Sequence, residues 1–191
     1  MLYKQKIFTQ DEIQGQDFEG DEFLSCKFFG LNFHFTGFTH CQFETCDFSG
    51  SSFNIAHLDN CSFSGSKLSN IDWSQATIKA CDFSGAIMKN CRLVQFKNSS
   101  RTQRKKFSLN DCKFKGTDLG DGVFELCNLC EVNFTKANLI KTVFEFCDLK
   151  KTDFVQAKLD GAQFIDCKIE QTKLSLEGFV AFGQSKGFEL A

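Results

Sequence analysis

CQFETCDFSGSSFNI, residues 41–55, is three pentapeptides in succession, centred on Phe43, Phe48 and Phe53. CDFSG, at 46–50, recurs letter for letter at 81–85. A period of five belongs neither to a helix, at 3.6, nor to a plain strand, at 2. Steps of five from Phe48 meet a large apolar side chain at every position back to Phe8 and on to Leu93, 18 in all. A second train of 15 runs from Leu109 to Phe179. Residues 94–108 stand outside both.

The position two before each centre holds ten of the eleven cysteines, and from residue 36 on its other occupants are mostly Ala, Ser or Thr. Residues two apart on an extended chain face the same way. Each pentapeptide therefore turns one small and one large side chain inward and then bends. Glycine favours the position two after the centre, at 15, 20, 30, 50, 65, 85, 116 and 161, where a tight corner needs it. Cys41, Cys61 and Cys81 are spaced by 20, as are Cys127, Cys147 and Cys167, and aromatic centres alternate with aliphatic ones. A period of ten nested in 20 implies four sides to each coil, with opposite sides alike. Stacked coils would place Phe43, Phe63 and Phe83 in one column. The absence of proline agrees, since proline would remove a donor from every ladder it entered. The expected fold is all-β: a square, single-chain solenoid over residues 1–174, with a C-terminal segment at 175–191.

CDFSG, CSFSG (61–65), ANLIK (137–141) and TDFVQ (152–156) resemble the A(D/N)LXX repeats of the pentapeptide-repeat family. That resemblance covers about residues 6–174 and implies a right-handed quadrilateral β-helix. The opening KIFTQDEIQGQDFEGDEFLSCKF is similar to that of the Qnr-type quinolone-resistance proteins, a group with MfpA-type relatives. The resemblance implies a protein that binds DNA gyrase or topoisomerase IV, partly imitates DNA, and relieves poisoning by quinolones or peptide toxins. The interruption at 94–108 matches the longer of two loops in the Qnr group. The shorter, earlier loop is missing here, and MfpA-type proteins lack both.

From Leu93 to Leu109 is 16 residues, and the aromatic–aliphatic alternation permits an insertion of one or of eleven. Centres at 98 and 103 would be Asn and Gln, which favours eleven. The segment carries Lys97, Arg101, Arg104, Lys105 and Lys106 and no acid. One reading is a solvated insertion; the other is a recognition loop for the partner. At the C-terminus Ser175 and Glu177 announce a helix, and Gly187 ends it. Phe188-Glu189-Leu190 could then extend as a strand. Leu176, Phe179, Val180, Phe182, Phe188 and Leu190 either cap the last coil or, as in the Qnr and MfpA groups, join two solenoids tail to tail as a homodimer.

The composition narrows the function classes. The 22 basic and 24 acidic residues leave a net charge of −2, so no basic field invites direct nucleic-acid binding. The N-terminus has no apolar signal core and no stretch approaches membrane-spanning length, so a soluble, cytoplasmic protein with free thiols is expected. His34, His40 and His57 fall outside the inward positions. Cys127 and Cys130 form the one CxxC, but the first thiol points in and the second out, which rules out joint chelation. No nucleophile–base set, phosphate loop, cofactor motif or metal cluster emerges, so a non-enzymatic binding protein is expected. The alternative is a general interaction scaffold with another partner. Outside the interruption 24 acids face 17 bases, a net of −7 over about eight coils. That is about one charge per coil where B-DNA carries about three over the same rise, so mimicry of DNA by the whole surface is weak.

Overall fold

The computed structural model describes residues 1–94 and 107–189. They form a right-handed β-helix of about eight four-sided coils, closed by one α-helix at Leu176–Ser185. Strands are two or three residues long and, within each uninterrupted run of coils, pair in parallel with the strand 20 residues away, as in Phe23↔Phe43, Phe18↔Phe38 and Phe144↔Phe164. Number the sides 1 to 4 from Leu2–Lys4. Side 1 then continues at Glu22–Leu24 and Gln42–Glu44, and side 4 holds Asp17–Glu19, Gly37–Thr39, His57–Asp59 and Thr77–Lys79. Side 2 is a run of single bridges from Ile7↔Lys27 to Asn138↔Lys158.

The corners explain why five residues suffice per side. The eight glycines two after a centre all have φ between 63° and 72°, and twenty other residues at the equivalent position have φ between 47° and 63°. At these corners one left-handed residue turns the chain, and its N–H can still join the ladder: Gly30 N donates to Ser49 O at 2.9 Å and Asn60 N to Lys79 O at 3.0 Å. Such corners cost non-glycine residues about 1–2 kcal/mol each, so the burial they permit must offset them.

That burial is columnar. On side 1 eight rings stack in line, Tyr3, Phe23, Phe43, Phe63, Phe83, Phe114, Phe134 and Phe154, with centroids 4.7–5.3 Å apart. Side 3 carries Phe33, Phe53 and Trp73, then Phe124, Phe144 and Phe164. Beyond the first coils sides 2 and 4 are aliphatic, from Leu68 and Leu58 onward. Opposite sides are alike, and rings of one side meet those of the other edge-on, as Phe114 meets Phe124 at 6.1 Å and 86°. Each buried ring contributes about 1.5–3 kcal/mol, and each ring pair about 0.5–1.5 kcal/mol more.

The small inward position does more than save space. Its side chain donates to the carbonyl of the centre 23 residues earlier, one coil back. Cys61 Sγ reaches Phe38 O at 3.3 Å, Cys147 Sγ reaches Phe124 O at 3.3 Å, Ser66 Oγ reaches Phe43 O at 3.1 Å and Thr36 Oγ1 reaches Ile13 O at 3.0 Å. Cys, Ser and Thr recur there because they are both small and donors.

Across the interruption the coils pair with an offset of 31: Asp82↔Lys113, Ile87↔Asp118 and Arg92–Val94 with Val123–Glu125. That is eleven more than elsewhere, the larger of the two insertions that the alternation permits. The break is narrower than 94–108. Val94 ends a side 3 strand and is fully buried, and Phe107–Ser108 begins a side 4 strand paired with Cys127–Asn128. Phe107 occupies the small inward position two before Leu109, where a ring is unexpected, and is buried. Residues 95–106 thus stand where other coils spend one corner residue between sides 3 and 4.

The coil train ends at Leu174 rather than Phe179. The chain leaves the solenoid at Ser175, whose Oγ accepts from Gly178 N and caps the helix. Phe188 and Glu189 form no strand. Phe188 N donates to Gly183 O at 3.0 Å, beside Gly187 at φ 84°, so the chain closes its own helix end.

Candidate functional site

The C-terminal end of the rod exposes Ile169, Leu176, Phe179 and Phe188. Gly178 approaches Leu159 and Leu174, so the helix lies tight on the last coil; an added Cβ would meet both at 3.3 Å. Phe182 packs inward, edge-on to Phe164 at 5.4 Å. The Lys186 ammonium donates to the Phe164 carbonyl and sits 5.9 Å from the Phe182 ring centroid, covering the carbonyl of the last side 3 strand. The helix does not cover everything. Ile169, the last side 4 centre, is 46% exposed.

Of the residues expected to form the dimer interface, Leu176, Phe179 and Phe188 are exposed, at 77%, 64% and 73%, and Val180 and Phe182 are half-buried. They are brought together. Leu176, Phe179 and Phe182 line a cleft of 380 Å³ with Ile169 and Leu174, and Phe179, Val180, Phe182 and Phe188 line a neighbouring one. The five-residue step places Ile169 and Leu174 only in the core. The signal that they are partly uncovered is the absence of a further coil after them. Leu190 lies outside the described residues, as do Lys97, Arg101, Arg104, Lys105 and Lys106, which fall in sequence between the strands Arg92–Val94 and Phe107–Ser108.

All eleven cysteines are free thiols. Nine are buried, and Cys130 and Cys167 are half-exposed. Burial pushes the Cys91 thiol up to about 11 and that of Cys112 to about 12. Cys130 points outward as its register requires, but partial burial and the Asp148 carboxylate beside it also raise its pKa, so it is not an activated nucleophile. No group of three or more His, Cys, Asp or Glu that could hold a metal occurs among the described residues, and no helix there is long and apolar enough to cross a membrane.

Charges on the outer surface are laddered. Lys67 meets Asp47 at 3.8 Å, Lys79 meets Asp59 at 3.3 Å, Lys113 meets Asp82 at 3.5 Å and Lys151 meets Glu131 at 2.9 Å, each one coil apart. Exposed pairs of this kind contribute about 0–1 kcal/mol each. They do interrupt any continuous acidic row along the rod, since Asp47, Asp59, Asp82 and Glu131 each face a cation.

The comparisons with known proteins agree with this geometry. Residues 26–65 and 56–93 match the family profile for pentapeptide repeats (8 copies), and residues 117–180 match that of the pentapeptide repeat region. No curated protein sequence matches significantly. Among solved structures, full-length QnrB1, a plasmid-mediated fluoroquinolone resistance protein, is 20% identical. The likeness covers 98% of this chain and 97% of QnrB1, with a TM-score of 0.63. A trypsin-treated variant of QnrB1 gives 19% identity, 100% and 98% coverage and a TM-score of 0.67. Coil geometry, corner chemistry and repeat profiles converge, and the chain belongs to the pentapeptide-repeat proteins.

Proposed function

We infer that this protein binds a type II DNA topoisomerase, gyrase or topoisomerase IV, and protects it from quinolones or peptide toxins. The observation that carries the reading is the structural likeness to a fluoroquinolone resistance protein along essentially the whole of both chains. The Qnr-like opening and the single interruption in register support it. The protein acts by binding and not by catalysis, in the cytoplasm and without a cofactor, as a homodimer joined through the apolar C-terminal end. The basic segment with Lys97, Arg101, Arg104, Lys105 and Lys106 contacts the partner. DNA imitation is local: residues 1–60 hold nine acids and three bases, of which Asp11, Asp17, Glu19, Glu22 and Glu44 lie in the first coils outside the ion pairs of Glu12, Asp21, Asp47 and Asp59. The test is DNA supercoiling by gyrase in the presence of ciprofloxacin and increasing protein. Restored supercoiling is expected; inhibition without rescue at any concentration overturns the reading. The same ladders favour a second reading, an interaction scaffold for a different partner, which predicts no effect in this assay.

A further inference from the structure

Side 4 carries a column of thiols beyond the interruption. Cys127, Cys147 and Cys167 fill its small inward position in three successive coils, and the bridges Asn128↔Asp148 and Asp148↔Lys168 hold them in register. Phe107, buried and paired with Cys127, closes the column on one side. No further coil covers Cys167, which is half-exposed while Cys127 and Cys147 are fully buried. The column therefore has one closed end and one open end.

The surroundings of these sulfurs are electron-rich. Cys127 Sγ lies 3.1 Å from Leu93 O and 3.5 Å from Glu125 O, and Cys147 Sγ lies 3.3 Å from Phe124 O and 3.4 Å from Glu145 O. Cys167 Sγ lies 3.3 Å from Phe144 O and 3.4 Å from Ile165 O. A thiol has one proton to give, so each sulfur faces more carbonyl oxygen than it can satisfy. A hydroxyl would supply the same donor, as Thr142 Oγ1 does to Leu119 O at 3.0 Å. Three consecutive thiols add what a hydroxyl lacks, a soft ligand. The thiols also meet one another. The Cys147 thiol beside it, and then burial, raise the Cys167 pKa above its ordinary 9.0, and the Lys186 ammonium opposes the rise.

We propose that Cys147 and Cys167 form a two-coordinate site for one monovalent soft metal ion of the copper(I) and silver(I) class. A metal–thiolate bond is about 2.3 Å long, so an ion in line between two sulfurs needs them about 4.6 Å apart. Successive coils rise by about 4.8 Å. Zinc is excluded by number, since it takes four ligands and no group of three or more His, Cys, Asp or Glu able to hold a metal occurs among the described residues. On binding, Cys147 and Cys167 each lose the S–H proton to solvent, two sulfur–metal bonds form, and no electron is transferred. The product carries one negative charge, which the Lys186 ammonium beside Cys167 offsets. Cys127, one coil further in, is not required. The site uses none of the residues assigned above to a partner, so it stands or falls apart from the topoisomerase reading.

The test uses the full reduced chain and silver(I) nitrate in chloride-free buffer, read by native mass spectrometry. One tight equivalent is expected, with two protons released per ion, so apparent affinity should rise about hundredfold per pH unit. Cys147→Ser and Cys167→Ser keep a donor for the Phe124 and Phe144 carbonyls, so far-UV circular dichroism should be unchanged. Silver affinity should nevertheless fall by more than about hundredfold, beyond the cost of losing an outer-shell partner. Cys127→Ser and Cys130→Ser should bind as the wild type does. On the wild type itself, X-ray absorption at the silver edge should show two sulfur neighbours, and bound silver should block alkylation of Cys167 while Cys130 still reacts. Wild-type affinity in Cys147→Ser or Cys167→Ser, equal loss in Cys130→Ser, alkylation of Cys167 undiminished by silver, or no tight binding at all overturns the proposal. So does uptake of silver only as the fold is lost, which would give the ion to thiols of the unfolded chain.

Discussion

A single side chain decides the local energy of each corner, because the backbone there is fixed by the coil. At Ile55 a β-branched residue holds φ 56° while 42% exposed, so it carries the left-handed cost with little burial in return. Ile55→Asn should raise the unfolding free energy by about 1 kcal/mol, seen as a higher denaturant midpoint at unchanged slope; a lower midpoint would show that Ile55 packs more than its exposure suggests. The inward thiols give a second residue-scale expectation. Cys46, Cys61, Cys112 and Cys147 are pushed up to about 12 from an ordinary 9.0. The folded chain then holds these protons more tightly than the unfolded chain. Their contribution is complete below pH 9 and is lost as pH rises toward 12, at up to about 1.4 kcal/mol per thiol per pH unit. Melting temperature should fall steeply over that window. Cys61→Ser, which retains a donor for the Phe38 carbonyl, should flatten the slope; an unchanged slope would mean the thiols are not responsible. The size of this position was legible in the sequence, since ten cysteines share it. Its role as a donor was not, because the accepting carbonyl lies 23 residues away and becomes a neighbour only when coils stack.

Elements in this protein are short, and their ends are where sequence and structure diverge. The interruption was legible as a loss of period, but its limits were not: Val94 and Phe107 break the repeat chemically yet continue the ladders. Replacing residues 95–106 by one Asn should restore an ordinary corner. Circular dichroism should be unchanged and stability equal or up to about 2 kcal/mol higher, from the loop-closure entropy removed. A large loss of stability would show that the segment supports Val94. The helix start was legible in Ser175, whereas Phe179 satisfied the five-residue step by coincidence and belongs to the helix. The strand expected at Phe188 does not form because its N–H turns back onto Gly183 O to close the helix, an outcome set by where the helix stops and not by the local sequence of Phe188-Glu189.

At the scale of the whole molecule, the coil number and the four-sided section were legible because every coil repeats the same arithmetic. The surface was less so, since pairing between Lys and Asp one coil apart depends on register across the insertion. The apolar C-terminal end bears on assembly. Phe179→Ser with Phe188→Ser changes only side chains that are 64% and 73% exposed, so the rod should stay folded. Light scattering should read a dimer for the wild type at tens of micromolar, and a monomer for the variant. A monomeric wild type would remove the tail-to-tail arrangement.

The unbroken column from Tyr3 to Phe154 makes the molecule a ruler with a fixed graduation. Length can change only in whole marks, because any other step would turn rings outward and ladders out of phase. Excising residues 51–70 should bring Phe33 under Trp73, Phe43 under Phe83 and Phe48 under Met88, and give a folded rod shorter by about 4.8 Å. Excising 51–71 should give aggregate, and a well-folded product would refute the graduation. Such a series would set the distance between the acidic first coils and the C-terminal end in known increments, so that the span a partner requires could be measured directly.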